Sequence, residues 1–395
     1  MAGLRIASDF SLPLEAITET IAILARRGSG KTYTAKVLAE EVLKAGHPAV
    51  IIDPLGVWWG LRSSADGKRP GLPVVVFGGD HADLPLDETS GKLIAEAIVE
   101  GRFPAIIDLS LLSKSAARRF NADFLETLYR RNREPLLLVV DEADLLAPQR
   151  AMPDTARVLG AMEDVVRRGR ARGLGCVMIT QRPAVLNKDV LSQASVLIAL
   201  RMGGTHDVAA IDEWIRLHAD ESDARELKAS LPSLPVGTAW IWSPGWLGVL
   251  QQVQIRRCDT FDSSATPKVG EKRIVPTKLA DIDLTALGEK LNAARESVKA
   301  NDVGELRRQI ADLKTTISGL REELDAALAA SDRVPARVEV PVVPPEAVKL
   351  LVSIHQLLDG LDGSLGPIRA EVEQLGELVD LGTSLRIARD VVGQD

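Results

Sequence analysis

From residue 21 to about residue 257, short apolar runs alternate with longer stretches whose apolar positions recur every three or four residues. The runs fall at 21–24, 49–53, 74–77, 105–109, 136–141, 175–180 and 196–201, each the length of a buried strand. Helical spacing between them, as over 33–44, predicts an α/β fold with a mainly parallel sheet covered by helices. Two further runs, 238–242 and 248–255, flank Pro244-Gly245 and predict a closing hairpin. One domain is therefore expected over residues 1–261.

The pattern then changes. Residues 262–278 are rich in Ser, Thr, Pro, Gly and Lys without periodicity, which predicts a linker. Within 279–332, Val303, Leu306, Ile310, Leu313, Ile317, Leu320, Leu324 and Ala327 recur at alternating spacings of three and four. That heptad, with β-branched residues at a and Leu at d, predicts a coiled-coil helix of the parallel-dimer type; a helix folded back on the first domain gives the same pattern. A second linker rich in Pro and Val, 333–345, leads to a C-terminal helical region, 346–395, interrupted at Gly360, Gly363 and Gly366-Pro367.

Composition narrows the class. An apolar content of 46% in 395 residues is ample for a core, and no apolar stretch approaches the roughly 18 residues of a membrane span. The amino terminus carries no basic region followed by an apolar one, so a soluble, cytoplasmic protein is expected. Two cysteines, Cys176 and Cys258, are too few for a disulfide framework or a CxxC metal site. A net charge of -7 denies the chain a globally basic footprint, so any nucleic-acid contact must be local.

The sharpest chemistry lies after the first run. Ala25-Arg26-Arg27-Gly28-Ser29-Gly30-Lys31-Thr32 joins a strand to a helix and reads as a phosphate-binding loop. Such a loop wraps backbone N–H groups around a polyphosphate and needs glycine where a Cβ would collide. Arg27, Gly28, Ser29, Gly30, Lys31, Thr32 and Tyr33 are the expected nucleotide-binding residues. Lys31 supplies a charge for the β and γ phosphates of ATP, and the Thr32 hydroxyl is a ligand for Mg²⁺. Ala25 stands where the usual pattern has its first glycine.

Cleavage needs a second, carboxylate-bearing strand. The run at 136–140 delivers Asp141 and Glu142 at its carboxyl end, where open parallel sheets bind ligands. Asp141 can hold Mg²⁺ through water, and Glu142 can orient and polarise the attacking water. Gln181, after the run at 175–180, is placed to sense the γ phosphate, or it begins the turn before Pro183. Arg167-Arg168-Gly169-Arg170-Ala171-Arg172 packs four guanidinium groups into six residues. It is either a solvated basic face or the source of an arginine finger acting on a neighbouring subunit, with Arg170 the first choice.

Taken together, GSGKT, LLLVVDEADLLAP, VRRGRARGLGCVMITQRP and LIALRM resemble the HerA/FtsK superfamily of hexameric DNA-pumping ATPases, and the HerA branch most. The resemblance covers residues 21–201 and extends at most to 255. It implies a RecA-like P-loop NTPase that assembles as a ring, with ATP and Mg²⁺ at subunit interfaces, moving on double-stranded DNA. Lys31, Thr32, Asp141, Glu142 and Gln181 then take the roles already assigned, and Asp53 falls where the family often has an acidic residue. Loops bearing Arg150 and Lys188 would face the pore, whereas Arg118, Arg119, Arg130, Arg131 and Arg133 read as a solvated face. HerA proteins carry a β-barrel ahead of the phosphate loop, and only about two dozen residues precede it here, so contacts made through a barrel are not implied. Asp141-Glu142-Ala143-Asp144 also spells the motif of DEAD-box helicases, but too little chain follows residue 201 for their second RecA-like domain. A scaffold that assembles with ATP and recruits an effector or nuclease through the coiled coil, without moving DNA, is the alternative of a different class.

Overall fold

The computed structural model describes residues 3–218, 221–265, 276–279, 303–331 and 344–359. A small antiparallel hairpin, β1 (Leu4–Arg5) and β2 (Ser11–Leu12), precedes the main sheet. Seven parallel strands follow: β3 (Thr20–Leu24), β4 (Ala49–Asp53), β5 (Val75–Phe77), β6 (Ala105–Asp108), β7 (Leu136–Val140), β8 (Leu174–Thr180) and β9 (Val196–Ala199). The hairpin expected around Pro244-Gly245 is present as β10 (Thr238–Ser243) and β11 (Val249–Gln254), antiparallel to each other, with β10 antiparallel to β9. The spatial order is β11-β10-β9-β3-β8-β7-β4-β6-β5.

The strands read as unbroken apolar runs because both faces of the sheet are covered. Successive side chains alternate between two cores: Ala22 and Leu24 enter one, Ile21 and Ile23 the other, and Leu136, Leu138 and Val140 oppose Leu137 and Val139 in the same way. The first core is closed by α2 (Gly91–Gly101), α3 (Lys114–Arg131) and α4 (Ala156–Arg168), through residues such as Ile98, Phe124 and Met162. The second is closed by α1 (Lys31–Lys44) and the amino-terminal hairpin, through Val37, Val42, Leu4 and Leu12. Three further helices complete this part of the chain: α5 (Lys188–Leu191), α6 (Thr205–His218) and α7 (Glu221–Ser230).

Two features of this arrangement position the site. First, β8 lies between β3 and β7, so the residue after β8 sits between the loop that leaves β3 and the acidic pair that leaves β7. Second, α1 is strapped from below by residues 256–263. The buried Glu40 carboxylate accepts from the backbone N–H groups of Asp259 and Thr260, from the Thr260 hydroxyl and from Arg256. Lys36, wholly buried, donates to Asp262 Oδ1 at 3.4 Å and Ser263 Oγ at 3.2 Å. Asp262 and Ser263 stand where the sequence predicts the start of a linker. Their polar groups instead satisfy a buried ammonium, whose pKa burial lowers. Thr277 also donates to the Gly67 carbonyl at 2.8 Å.

Both thiols are buried, which raises the pKa of Cys176 within β8 and pushes that of Cys258 up to about 12. The heptad segment is helical as α8 (Val303–Ser331), with Leu320 and Leu324 exposed, and α9 (Pro345–Asp359) exposes Val348, Leu350, Leu351 and Val352. Most of the predicted linkers, residues 280–302 and the C-terminal stretch 360–395 lie outside the described residues. Among the described residues no helix is long and apolar enough to cross a membrane.

Candidate functional site

The chain leaves β3 still extended. Ala25 N–H donates to Thr180 O at 3.3 Å and Arg26 N–H to Arg201 O at 3.0 Å, so the β ladder continues one step past Leu24. Positive φ begins only at Gly28 (75°) and Gly30 (98°). That explains why alanine is tolerated in place of the usual first glycine: position 25 is buried but not left-handed. Gly30 caps α1, and the first N–H groups of the helix, those of Lys31, Thr32 and Tyr33, have no partner within it. Together with the helix dipole they form an anion site. The buried Ser29 turns its hydroxyl to Arg201 O at 3.3 Å, tying the loop to the end of β9. Arg27 is exposed at the crest. The Tyr33 ring points away and its hydroxyl accepts from Cys258 N–H at 2.8 Å, so this residue offers the loop only backbone.

Opposite the loop stand the acidic residues after β7. Lys31 Nζ lies 2.8 Å from Glu142 Oε1 and 3.8 Å from Asp141 Oδ1, and all three residues are buried. The Thr32 hydroxyl donates to Asp141 Oδ2 at 3.2 Å, and Gln181 Nε2 to Glu142 Oε1 at 3.2 Å. Five residues named from sequence thus converge on one cluster drawn from three adjacent strand ends. Glu142 is held left-handed, at φ 48°, a conformation that costs a non-glycine residue on the order of 1–2 kcal/mol. Thr180 maintains the convergence: its hydroxyl donates to Asp144 Oδ1 at 2.6 Å and accepts from Arg182 N–H at 3.0 Å, tying the β8 tip that bears Gln181 to the turn after β7.

The oxygen donors suit Mg²⁺, which takes one or two protein oxygens and leaves its other positions to water and phosphate. The Thr32 hydroxyl and the Asp141 carboxylate meet at the base of the loop, beside the N–H groups that face a phosphate chain. Asp53 has a different place. Its carboxylate, pushed up to about 7 by burial and then by Asp108, accepts four backbone N–H groups, from Leu55, Gly56, Val57 and Trp58. It organises the loop after β4 and does not touch Lys31. Trp58, which sequence reasoning did not single out, donates its indole N–H to Asp141 Oδ2 at 3.0 Å.

The basic residues divide. Arg170 lies just before β8, at the amino-terminal end of the strands, the end opposite the phosphate loop, with a side chain 73% exposed. Its Nη1 pairs with Glu19 at 2.9 Å, and Glu19 is itself held by the Ser195 hydroxyl at 2.8 Å. Arg172 is engaged within the subunit, over the Tyr129 ring at 4.4 Å. Arg118, Arg119, Arg130 and Arg131 pair with Asp154, Glu88, Glu126 and Glu96, and Arg133 donates to main-chain carbonyls. The loops bearing Arg150 and Lys188 are stitched together: Gln149 N–H donates to Val185 O at 2.7 Å and Lys188 N–H to Gln149 Oε1 at 2.8 Å. Arg150 is exposed and makes no ion pair among the described residues.

A parallel sheet with this strand order, a glycine-bearing loop opening a helix and a facing acidic pair define a P-loop nucleotide-binding protein. Within that class the chain is similar to HerA: residues 6–64 match the family described as the central domain of helicase HerA. It is 28% identical over 184 residues to the DNA double-strand break repair helicase HerA of Pyrococcus furiosus, covering 44% of this chain and 31% of that protein. With the HerA of Sulfolobus acidocaldarius it shares 26% identity over 228 residues, 54% of this chain and 43% of the relative. The chain therefore matches between about a third and a half of these relatives' lengths. Among solved structures it is similar to the genome packaging NTPase B204 of Sulfolobus turreted icosahedral virus 2 in complex with ATP-gammaS (TM-score 0.41, 18% identity, 61% of this chain and 98% of that one). A second such structure is the plasmid coupling protein TrwB in complex with a GTP analogue (TM-score 0.48, 13% identity, 66% and 91%).

Proposed function

We propose that the chain is an ATP-hydrolysing motor of the HerA/FtsK type that assembles as a ring, a hexamer by analogy with that superfamily, and translocates double-stranded DNA. The observation that carries the reading is the convergence of Lys31, Thr32, Asp141, Glu142 and Gln181. Backbone N–H groups of the loop and Lys31 bind the phosphates of ATP. Thr32 and Asp141 hold Mg²⁺, which when bound neutralises charge on the transferred phosphoryl group. Glu142 orients the attacking water and accepts its proton. Gln181, bonded to Glu142, reports the γ phosphate to the β8 tip. A γ phosphate arriving at Lys31 competes with Glu142 for the same ammonium, so substrate binding frees the carboxylate for its work on water. The names of the relatives, double-strand break repair helicases, support DNA as the substrate.

Contact with DNA is assigned to the stitched loops carrying Arg150 and Lys188. Duplex DNA is expected to accelerate ATP hydrolysis, and Arg150→Ala to weaken DNA binding and flatten its dependence on salt by about one unit of log–log slope. Hydrolysis indifferent to DNA, combined with ATP-dependent assembly, would replace the motor by the scaffold. Exposed apolar heptad positions on α8 support a second association, with another copy or a partner helix. Removing residues 302–331 should lower the number of subunits per particle seen by light scattering; an unchanged number would assign α8 to a partner or to packing within its own subunit.

A further inference from the structure

Trp58 is the largest fully buried side chain among the described residues, yet it is more than core. Its indole N–H is spent on Asp141 Oδ2, the oxygen that also accepts from Thr32. Asp141 Oδ1 accepts from the backbone N–H of Glu142 at 3.0 Å, so both oxygens of this carboxylate are held. The tryptophan is held in turn. Asp53 Oδ2 takes the backbone N–H groups of Val57 at 2.7 Å and Trp58 at 2.9 Å, while Oδ1 takes those of Leu55 and Gly56. Ser263 Oγ donates to Val57 O at 2.6 Å and accepts from Gly60 N–H at 3.1 Å, and the Lys36 ammonium lies 5.9 Å from the indole ring centre. A tryptophan packed only against apolar neighbours would leave this buried N–H without a partner, which is costly. Here the one polar atom of the side chain is delivered to the one carboxylate that faces both Thr32 and Lys31.

We infer that Trp58 is a positioning residue. Its indole N–H fixes the Asp141 carboxylate in the orientation that receives the nucleotide's divalent cation beside Thr32, and Asp53 fixes Trp58. This rests on the Mg²⁺–nucleotide reading above. Groups that hold a metal's ligands from behind are worth about 10- to 100-fold in metal affinity.

The test measures Mn²⁺ as a spin probe for the Mg²⁺ position, titrated by electron paramagnetic resonance in the presence of a non-hydrolysable ATP analogue. The full chain is compared with Trp58→Phe and with a variant carrying benzothienylalanine at position 58, which keeps the indole shape and replaces N–H by sulfur. Both variants should bind Mn²⁺ about tenfold or more weakly, while affinity for the analogue in excess EDTA stays at the wild-type value. The sulfur variant decides the matter if Trp58→Phe fails to fold. Wild-type Mn²⁺ affinity in the shape-preserving variant overturns the inference and leaves Trp58 as core. A parent chain that gives no analogue-dependent Mn²⁺ signal overturns the underlying reading instead.

Discussion

Glu142→Gln is expected to hydrolyse ATP roughly 10²–10⁴ times more slowly than the parent, the usual worth of a positioned general base, or about 3–5 kcal/mol of barrier. The amide keeps the size and a hydrogen-bond acceptor for Gln181 but cannot take the water's proton. ATP binding should not fall with it. In the parent, Lys31 is ion-paired with Glu142 at 2.8 Å, and the neutral glutamine no longer competes with the γ phosphate for that charge. The variant is therefore expected to bind ATP at least as tightly while turning it over hardly at all, as read by equilibrium binding of a fluorescent analogue beside a phosphate-release assay. Turnover within a few-fold of the parent would move the role of base elsewhere.

The second large effect is expected at a position remote from the loop it serves. Arg170 sits at the amino-terminal end of the strands, opposite its own phosphate site, exposed and anchored through one nitrogen by Glu19. A cation there is remote from its own subunit's nucleotide site, so in the proposed ring it would act on a neighbour's. Trans-acting arginines of P-loop enzymes are worth about 10³–10⁵ in rate. Arg170→Ala should lose hydrolysis on that scale while retaining ATP binding and the ring. Arg172→Ala is the internal control, because Arg172 is committed to Tyr129 and to the Arg130 carbonyl within its own subunit. Equal losses from the two substitutions would point to damage of the helix-to-strand turn.

Much of the fold was legible because parallel strands buried on both faces carry no polar interruption, and the run at 136–140 could hardly be anything else. The phosphate loop was legible from the residues that its geometry demands, Gly28, Gly30, Lys31 and Thr32. The placement of β8 between β3 and β7 was not, because it depends on β8 pairing with β3, more than a hundred residues earlier in the chain. Gln181 could be suspected from its place at a strand tip, but only that order brings it to Glu142. Trp58 escaped notice because a tryptophan in a loop gives no pattern, and its meaning depends on Asp53 gathering the backbone around it. Asp262 and Ser263 looked like linker because Ser, Thr and Asp are turn-formers by local preference. Their partner, Lys36, lies more than two hundred residues away in an apolar face.

Completion of each site by a neighbouring subunit is tested most directly by mixing two inactive proteins, Lys31→Ala and Arg170→Ala, and measuring ATP hydrolysis over a range of ratios. One brings an intact arginine and a disabled phosphate loop, the other the reverse. If each site is completed across a subunit boundary, mixed rings contain interfaces with both parts, and activity should appear that neither protein has alone. Activity that stays at the sum of the separate proteins at every ratio, with subunit exchange verified, would contradict it.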